Sequence, residues 1–188
     1  NDRLQQFALP GAAQGRDVNA IAVDHAGAVW VAFDEQGLFR FDNGTWTLNG
    51  NIAALPRGEV ISATVDERGD VWLGYVDHRI ARVSGGQVQM FTTPDGLDIG
   101  AVTALHAKSS RLWAGGEHGT AVFEGERFAT VQSRNCQPFI AVSGIVEANN
   151  GDVWIFRGTA PSRIEKAREQ LTPDNTERRL RCATYGRI

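Results

Sequence analysis

Four tryptophans recur at nearly constant spacing, and that spacing limits the possible folds more than any other feature of the chain. Trp30, Trp72, Trp113 and Trp154 lie 42, 41 and 41 residues apart. Their surroundings repeat with them. Residues 18–30 read Val-Asn-Ala-Ile-Ala-Val-Asp-His-Ala-Gly-Ala-Val-Trp, and residues 60–72 read Val-Ile-Ser-Ala-Thr-Val-Asp-Glu-Arg-Gly-Asp-Val-Trp. Residues 142–154 follow the same plan with Asn-Asn-Gly at the turn, while residues 102–113 are one residue shorter and lack the glycine. A period of this length marks a repeat architecture.

Each unit reads as all-β. A β-rich run ends in Asp-x-x-Gly, whose glycine supplies the positive φ of a tight turn, and a second β-rich run carrying the tryptophan follows. Further runs at 37–41, 79–83 and 119–123, then at 44–48 and 86–91, supply a third and a fourth strand. Four short strands in ~40–45 residues form a β-propeller blade. The expected fold is therefore all-β, with about four four-stranded blades. The repeats run over 7–44, 45–86, 87–126 and 127–178, with 179–188 beginning another. In this reading Asp24, Gly27, Trp30, Asp66, Gly69, Trp72, Trp113, Gly151 and Trp154 are structural, each tryptophan packing between neighbouring blades.

With the strands lettered a to d, four a-b-c sets stand against five d-phase segments: Leu4–Leu9, Thr45–Leu48, Gln87–Thr92, Arg127–Val131 and Arg179–Thr184. The surplus d segment predicts an incomplete arc of a larger propeller. Its partners would be the remaining blades or a second copy, since open blade faces invite association. One segment breaks the pattern: residues 161–171 predict a short helix, with Ser162 and Glu165 as a capping box and Pro173 beyond its end.

A net charge of −3 argues against a nucleic-acid partner, and no apolar run is long enough to contact or cross a bilayer. Cys136 and Cys182 fall near the ends of d segments in successive blades. A bridge, in an oxidising compartment, and two free buried thiols both remain open. His25, His78, His106 and His118 sit at different repeat phases with no metal-binding spacing, so no metal, cofactor or catalytic set is expected. Asp34-Glu35 reads as a solvated turn rather than a glycosidase pair.

Strand direction alternates within a blade, so b–c and d–a loops share one edge and a–b and c–d turns share the other. The a–b turns repeat, whereas the b–c loops differ. Asp34 and Glu35, then Asp77, His78 and Arg79, then Glu117 and His118, and finally Arg157 are the candidate ligand-binding residues, because specificity resides where a fixed scaffold varies. An exposed polar surface is the alternative for each.

The pattern Val-x-Ala-Ile-x-x-Asp-x-x-Gly-x-Val-Trp-Val, the Gly-Leu-Phe-Arg-Phe strand at 37–41 and the Phe-Thr-Thr-Pro-Asp-Gly-Leu link at 91–97 resemble the two-component regulator propeller repeat. Lys108, Ala148 and Arg79 depart from its turn residues. The resemblance implies a segment of a seven-bladed propeller in the periplasmic part of a sensor histidine kinase. It would bind a small polar ligand, with a saccharide as the leading class. It carries no catalytic set to transfer. An assembly module and a propeller enzyme of lyase, lactonase or quinoprotein type are the other classes.

Overall fold

Each tryptophan repeat folds into its own sheet. The computed structural model describes residues 6–158, 160–172 and 178–184. The first sheet holds β1 (Val18–Val23), β2 (Val29–Phe33), β3 (Gly37–Asp42) and β4 (Thr45–Leu48), and the second holds β5 (Val60–Val65), β6 (Val71–Tyr75), β7 (Ile80–Ser84) and β8 (Gln87–Phe91). The third holds β9 (Val102–Lys108), β10 (Arg111–Gly116), β11 (Thr120–Phe123) and β12 (Phe128–Ser133). The fourth holds β13 (Val142–Glu147), β14 (Val153–Arg157) and β15 (Ala160–Ile164). After the helix α1 (Ala167–Gln170), β16 (Arg179–Leu180) pairs in parallel with β12, and β17 (Ala183–Thr184) completes the fourth sheet against β15. All other pairings are antiparallel between chain neighbours. The a strands of successive sheets lie side by side, β1 by β5, β5 by β9 and β9 by β13. These are propeller blades in an open arc. The sheets are cut out of phase with the sequence repeat, because each d strand pairs back onto the c strand before it.

Turn chemistry explains the hairpins. Gly27, Gly69 and Gly151 sit at φ 84–88° in the a–b turns. The shorter third turn places Ser109 and Ser110 at φ 52° and 62°, a conformation costly for residues with a Cβ. Glu67 of the preceding turn offsets that cost by accepting both serine amides, at 2.6 and 3.1 Å.

The tryptophans are the seams. Trp30 packs on Val60, Val71, Leu73, Ala81 and Val83 of sheet two. Trp72 packs on sheet three and Trp113 on sheet four. Their exposures are 3, 1 and 0%, while Trp154, with no further sheet packed beyond it among the described residues, is half-buried. The seams close tightly because the residue two past each tryptophan is small: Ala32, Gly74 and Gly115. A Cβ on Gly74 would lie 2.6 Å from Val102, and one on Gly115 would lie 2.4 Å from Val142. Sheet four carries Phe156 at this place, 45% exposed beside Val146 at 44%.

Two local expectations are corrected. Residues 162–165 do not open a helix: Ala160–Ile164 form β15, and only Ala167–Gln170 are helical, entered through Lys166 at φ 44°. β14 needs a third-strand partner, and Ser162 and Ile164 turn inward to supply it, so tertiary pairing overrides the local capping preference. Pro173 lies outside the described residues. Of the five d-phase segments, four are strands and the last is split in two. The exception is Leu4–Leu9, of which residues 6–9 form no strand and 4–5 lie outside the described residues. A d strand needs the c strand of a preceding sheet, and none precedes it among the described residues. Instead the Phe7 ring sits 4.8 Å from that of Phe41, and Trp46 Nε1 donates to the Ala8 carbonyl at 2.9 Å. Ala13 is buried against Val31, Phe33 and Phe39.

The cysteines are bridged. Cys136 and Cys182, 46 residues apart, form a disulfide with Cα atoms 6.0 Å apart. Asn135 exchanges two hydrogen bonds with the Cys182 backbone, each 2.9 Å. Residues 178–184 thus staple sheet three to sheet four. No helix among the described residues is long and apolar enough to cross a membrane.

Candidate functional site

The loop edge that carries the candidates is assembled by one repeated device. In the first three sheets the amide at the start of the b–c loop donates to a d–a carbonyl of the same sheet: Asp34 to Asp17 at 2.9 Å, Val76 to Glu59 at 3.0 Å and Glu117 to Ala101 at 3.3 Å. These bonds lock the two loop types together, so their side chains project from a rigid base.

On that base the side chains differ from sheet to sheet. Glu35 at φ 56° pairs with Arg16 at 2.6 Å. Beside it a cleft of about 420 Å³ runs between sheets one and two, lined by Glu35, Gln36, Leu48, Asn49, Arg57 and Glu59 among others. Glu59 also accepts from Asn19 Nδ2 at 3.2 Å. Asp77 forms an ion pair with Arg79, whose guanidinium lies 5.6 Å from the centroid of the Tyr75 ring. Burial pushes the Tyr75 hydroxyl up to about 12, so the ring is a neutral floor. His78, at φ 68°, meets His118 of the neighbouring sheet with ring centroids 6.4 Å apart. The His118 amide donates to the Ile99 carbonyl at 2.8 Å. Its ring occupies the space that Gly100 leaves, since a Cβ there would lie 2.9 Å from His118 Nδ1.

The structure therefore brings His78, Arg79 and Asp77 next to His118 and Glu117, and it places Glu35 at a cleft one seam away. Asp34 contributes its backbone. Arg157 ends β14 and donates to Ser162 Oγ at 3.4 Å. Sequence reasoning missed Leu48 and Asn49 as cleft walls, since nothing in their local pattern separates them from an ordinary d–a connection. Among the described residues no three His, Cys, Asp or Glu side chains are placed to hold a metal ion.

The opposite edge carries a repeated cluster of turn contacts. Asp24 accepts from Trp30 Nε1 at 3.1 Å, from the Ala26 and Ala28 amides at 3.0 and 2.9 Å, and from Arg40. Asp66 does the same for Trp72 Nε1 at 2.8 Å and for the Arg68 and Asp70 amides. Burial raises the Asp24 carboxyl, but the Trp30 indole, the Ala28 amide and Arg40 outweigh it and hold it below the usual carboxylate range. Asp70, bonded to Arg82, is likewise depressed against the opposing effect of burial.

No protein-family model matches the sequence, and no curated protein sequence matches it. Solved structures do. Virginiamycin B lyase from Staphylococcus aureus is 17% identical at a TM-score of 0.67, over 88% of this chain and 57% of that one. Two extracellular domains of hybrid two-component systems from B. thetaiotaomicron are 18 and 13% identical, at TM-scores of 0.71 and 0.66. They cover 96 and 85% of this chain, and 24 and 21% of theirs. The chain thus spans a little over half of the lyase and under a quarter of either sensor domain. At these identities the likeness establishes the propeller fold.

Proposed function

We propose that this chain is a ligand-binding propeller segment of an extracytoplasmic sensor of the two-component type. Its ligand is a small polar molecule, a saccharide first among them, held without catalysis at the b–c and d–a edge. One observation carries this reading: the backbone lock repeated in the first three sheets presents a different set of charged or imidazole groups on each of them, next to a cleft of about 420 Å³. A scaffold that repeats while its loops vary is the usual setting of binding specificity. Mixed donors and acceptors (Glu35, Arg57, Arg79, His78, His118) suit hydroxyl groups, which both give and take hydrogen bonds. The Cys136–Cys182 bridge supports an oxidising, extracytoplasmic setting. The sensor ectodomains of like fold support the signalling context. Ligand occupancy would shift the packing of the arc on its neighbours and so bias a kinase. The partner on the face of Val146, Trp154 and Phe156 is a further propeller blade, of the same polypeptide or of a second copy.

Isothermal titration with cellobiose, maltose and a uronate-containing disaccharide tests the site. Saturable binding of at least one, weakened tenfold or more in the triple variant His78→Ala, Arg79→Ala, His118→Ala with unchanged circular dichroism, is the expected result. Equal binding by the triple variant would remove the site from consideration.

A further inference from the structure

The third seam is built unlike the first two. In sheets two and four an aspartate two before the tryptophan, Asp70 or Asp152, pairs with a c-strand arginine, Arg82 or Arg163. In sheet three these places hold Arg111 and Val122, and the turn aspartate that serves Trp30 and Trp72 is Lys108. Trp113 is wholly buried, and its Nε1 has no acceptor among the described residues. The half-buried Arg111 makes no hydrogen bond or ion pair among them.

Sheet four answers with a carboxylate. Glu147 is 4% exposed at the place where Val65 and Ala107 pack on the preceding tryptophan in the other seams. Its Oε1 accepts from Arg168 at 2.9 Å, and its Oε2 has no partner among the described residues. Its amide donates to His106 Nε2 of sheet three at 3.0 Å, and its carbonyl accepts from Lys108 Nζ at 2.9 Å. A buried donor and a buried acceptor without partners among the described residues stand beside the half-buried Arg111 guanidinium in one seam; such groups are rarely left unbonded, and water is their usual partner. In the first two seams, by contrast, the tryptophan indole has an aspartate acceptor, and Val65 and Ala107 stand where Glu147 stands in the third.

We infer that the seam between sheets three and four is a hydrated, acid-sensitive joint. Sheet four is the blade that opens, the Glu147–His106 hydrogen bond is the latch, and the Cys136–Cys182 bridge is the tether. The latch needs a neutral imidazole, since Nε2 must accept. A proton there turns the acceptor into a donor aimed at an amide. It also adds a cation beside Lys108 of β9, against Glu147 of β13, in a seam that also holds Arg111 of β10 and Arg168 of α1. Burial depresses the His106 pKa, with Glu147 opposing and Lys108 assisting. The opened state therefore binds the proton more readily, and closure weakens as pH falls below about 6.5, the value of a free histidine.

Native-state hydrogen exchange at pH 7.5 and 5.0, corrected for intrinsic rates, tests this. Protection of β13 and β14 amides is expected to fall at least tenfold in acid, while β1, β2, β5 and β6 keep theirs. His106→Gln, whose amide oxygen accepts but does not titrate, should abolish the change. Cys136→Ser with Cys182→Ser should raise opening at both pH values and preserve the pH dependence. A titration of the His106 ring by NMR in the unmodified chain is independent of any variant's folding. A midpoint at or above 6.5, equal protection at both pH values, or an unchanged response in His106→Gln would each overturn the proposal.

Discussion

The two edges of the sheets are made from the same strands and yet follow opposite rules. On the a–b edge the first two blades repeat one cluster almost atom for atom: an aspartate gathers the tryptophan indole and two turn amides. On the b–c edge the backbone lock repeats, but the side chains on it do not. The repeated side chains satisfy the indole and turn amides of their own blades, so they are structural. The varied ones sit where the backbone is already satisfied, so they are free to serve a ligand. Under the proposed function this difference divides stability from recognition within a single repeat, and substitutions on either edge can break it.

The largest effect is expected from Trp72→Ala, which empties the seam between sheets two and three. A loss of about 3–5 kcal/mol in urea unfolding is predicted, and the same change at the half-buried Trp154 should cost distinctly less. Next comes Asp66→Ala, which strands the Trp72 indole and the Arg68 and Asp70 amides at a predicted cost of about 1–3 kcal/mol. Saccharide affinity should stay intact in Asp66→Ala. If affinity falls as much as in the His78 triple variant, the division between edges fails.

Acid should sharpen the comparison further. Asp24 and Asp70 titrate below the usual carboxylate value of 3.8 in the fold, so the stability they contribute is full above that value and is lost as pH falls through the depressed ones. Denaturant midpoints measured from pH 5 to pH 2 should drop in this window, and Asp70→Asn should flatten part of the drop. The smallest effect is predicted for the triple variant at His78, Arg79 and His118. With His78 and His118 exposed and Arg79 at the rim, stability should move by no more than about 0.5 kcal/mol.

The architecture was legible because a propeller repeats its largest core residue and its turn glycines at a fixed period. Trp30, Trp72 and Trp113 alone fix the seams. What was not legible depends on contacts distant in sequence. The Cys136–Cys182 pairing is set by a segment that crosses from β12 to β15, which no spacing announces. The Ser162 to Glu165 pattern looked like a helix start because local capping signals carry no information about an unfilled strand position. Glu147 hid its role by standing in an otherwise apolar column. On the candidate edge the residue types were readable from the loops. The meeting of His78 with His118, and of Glu35 with Arg57 and Glu59 around the cleft, required the third dimension.

The central claim is that recognition lies on the varied edge. Amide chemical-shift mapping during titration with cellobiose, maltose and a uronate-containing disaccharide tests it most directly. Shifts clustered at Glu35 and Gln36, Arg57–Glu59, Asp77–Arg79, and Glu117 and His118 are the predicted result. Shifts centred on the turns at Asp24–Gly27 and Asp66–Gly69, or none with any of the three sugars, would contradict the account.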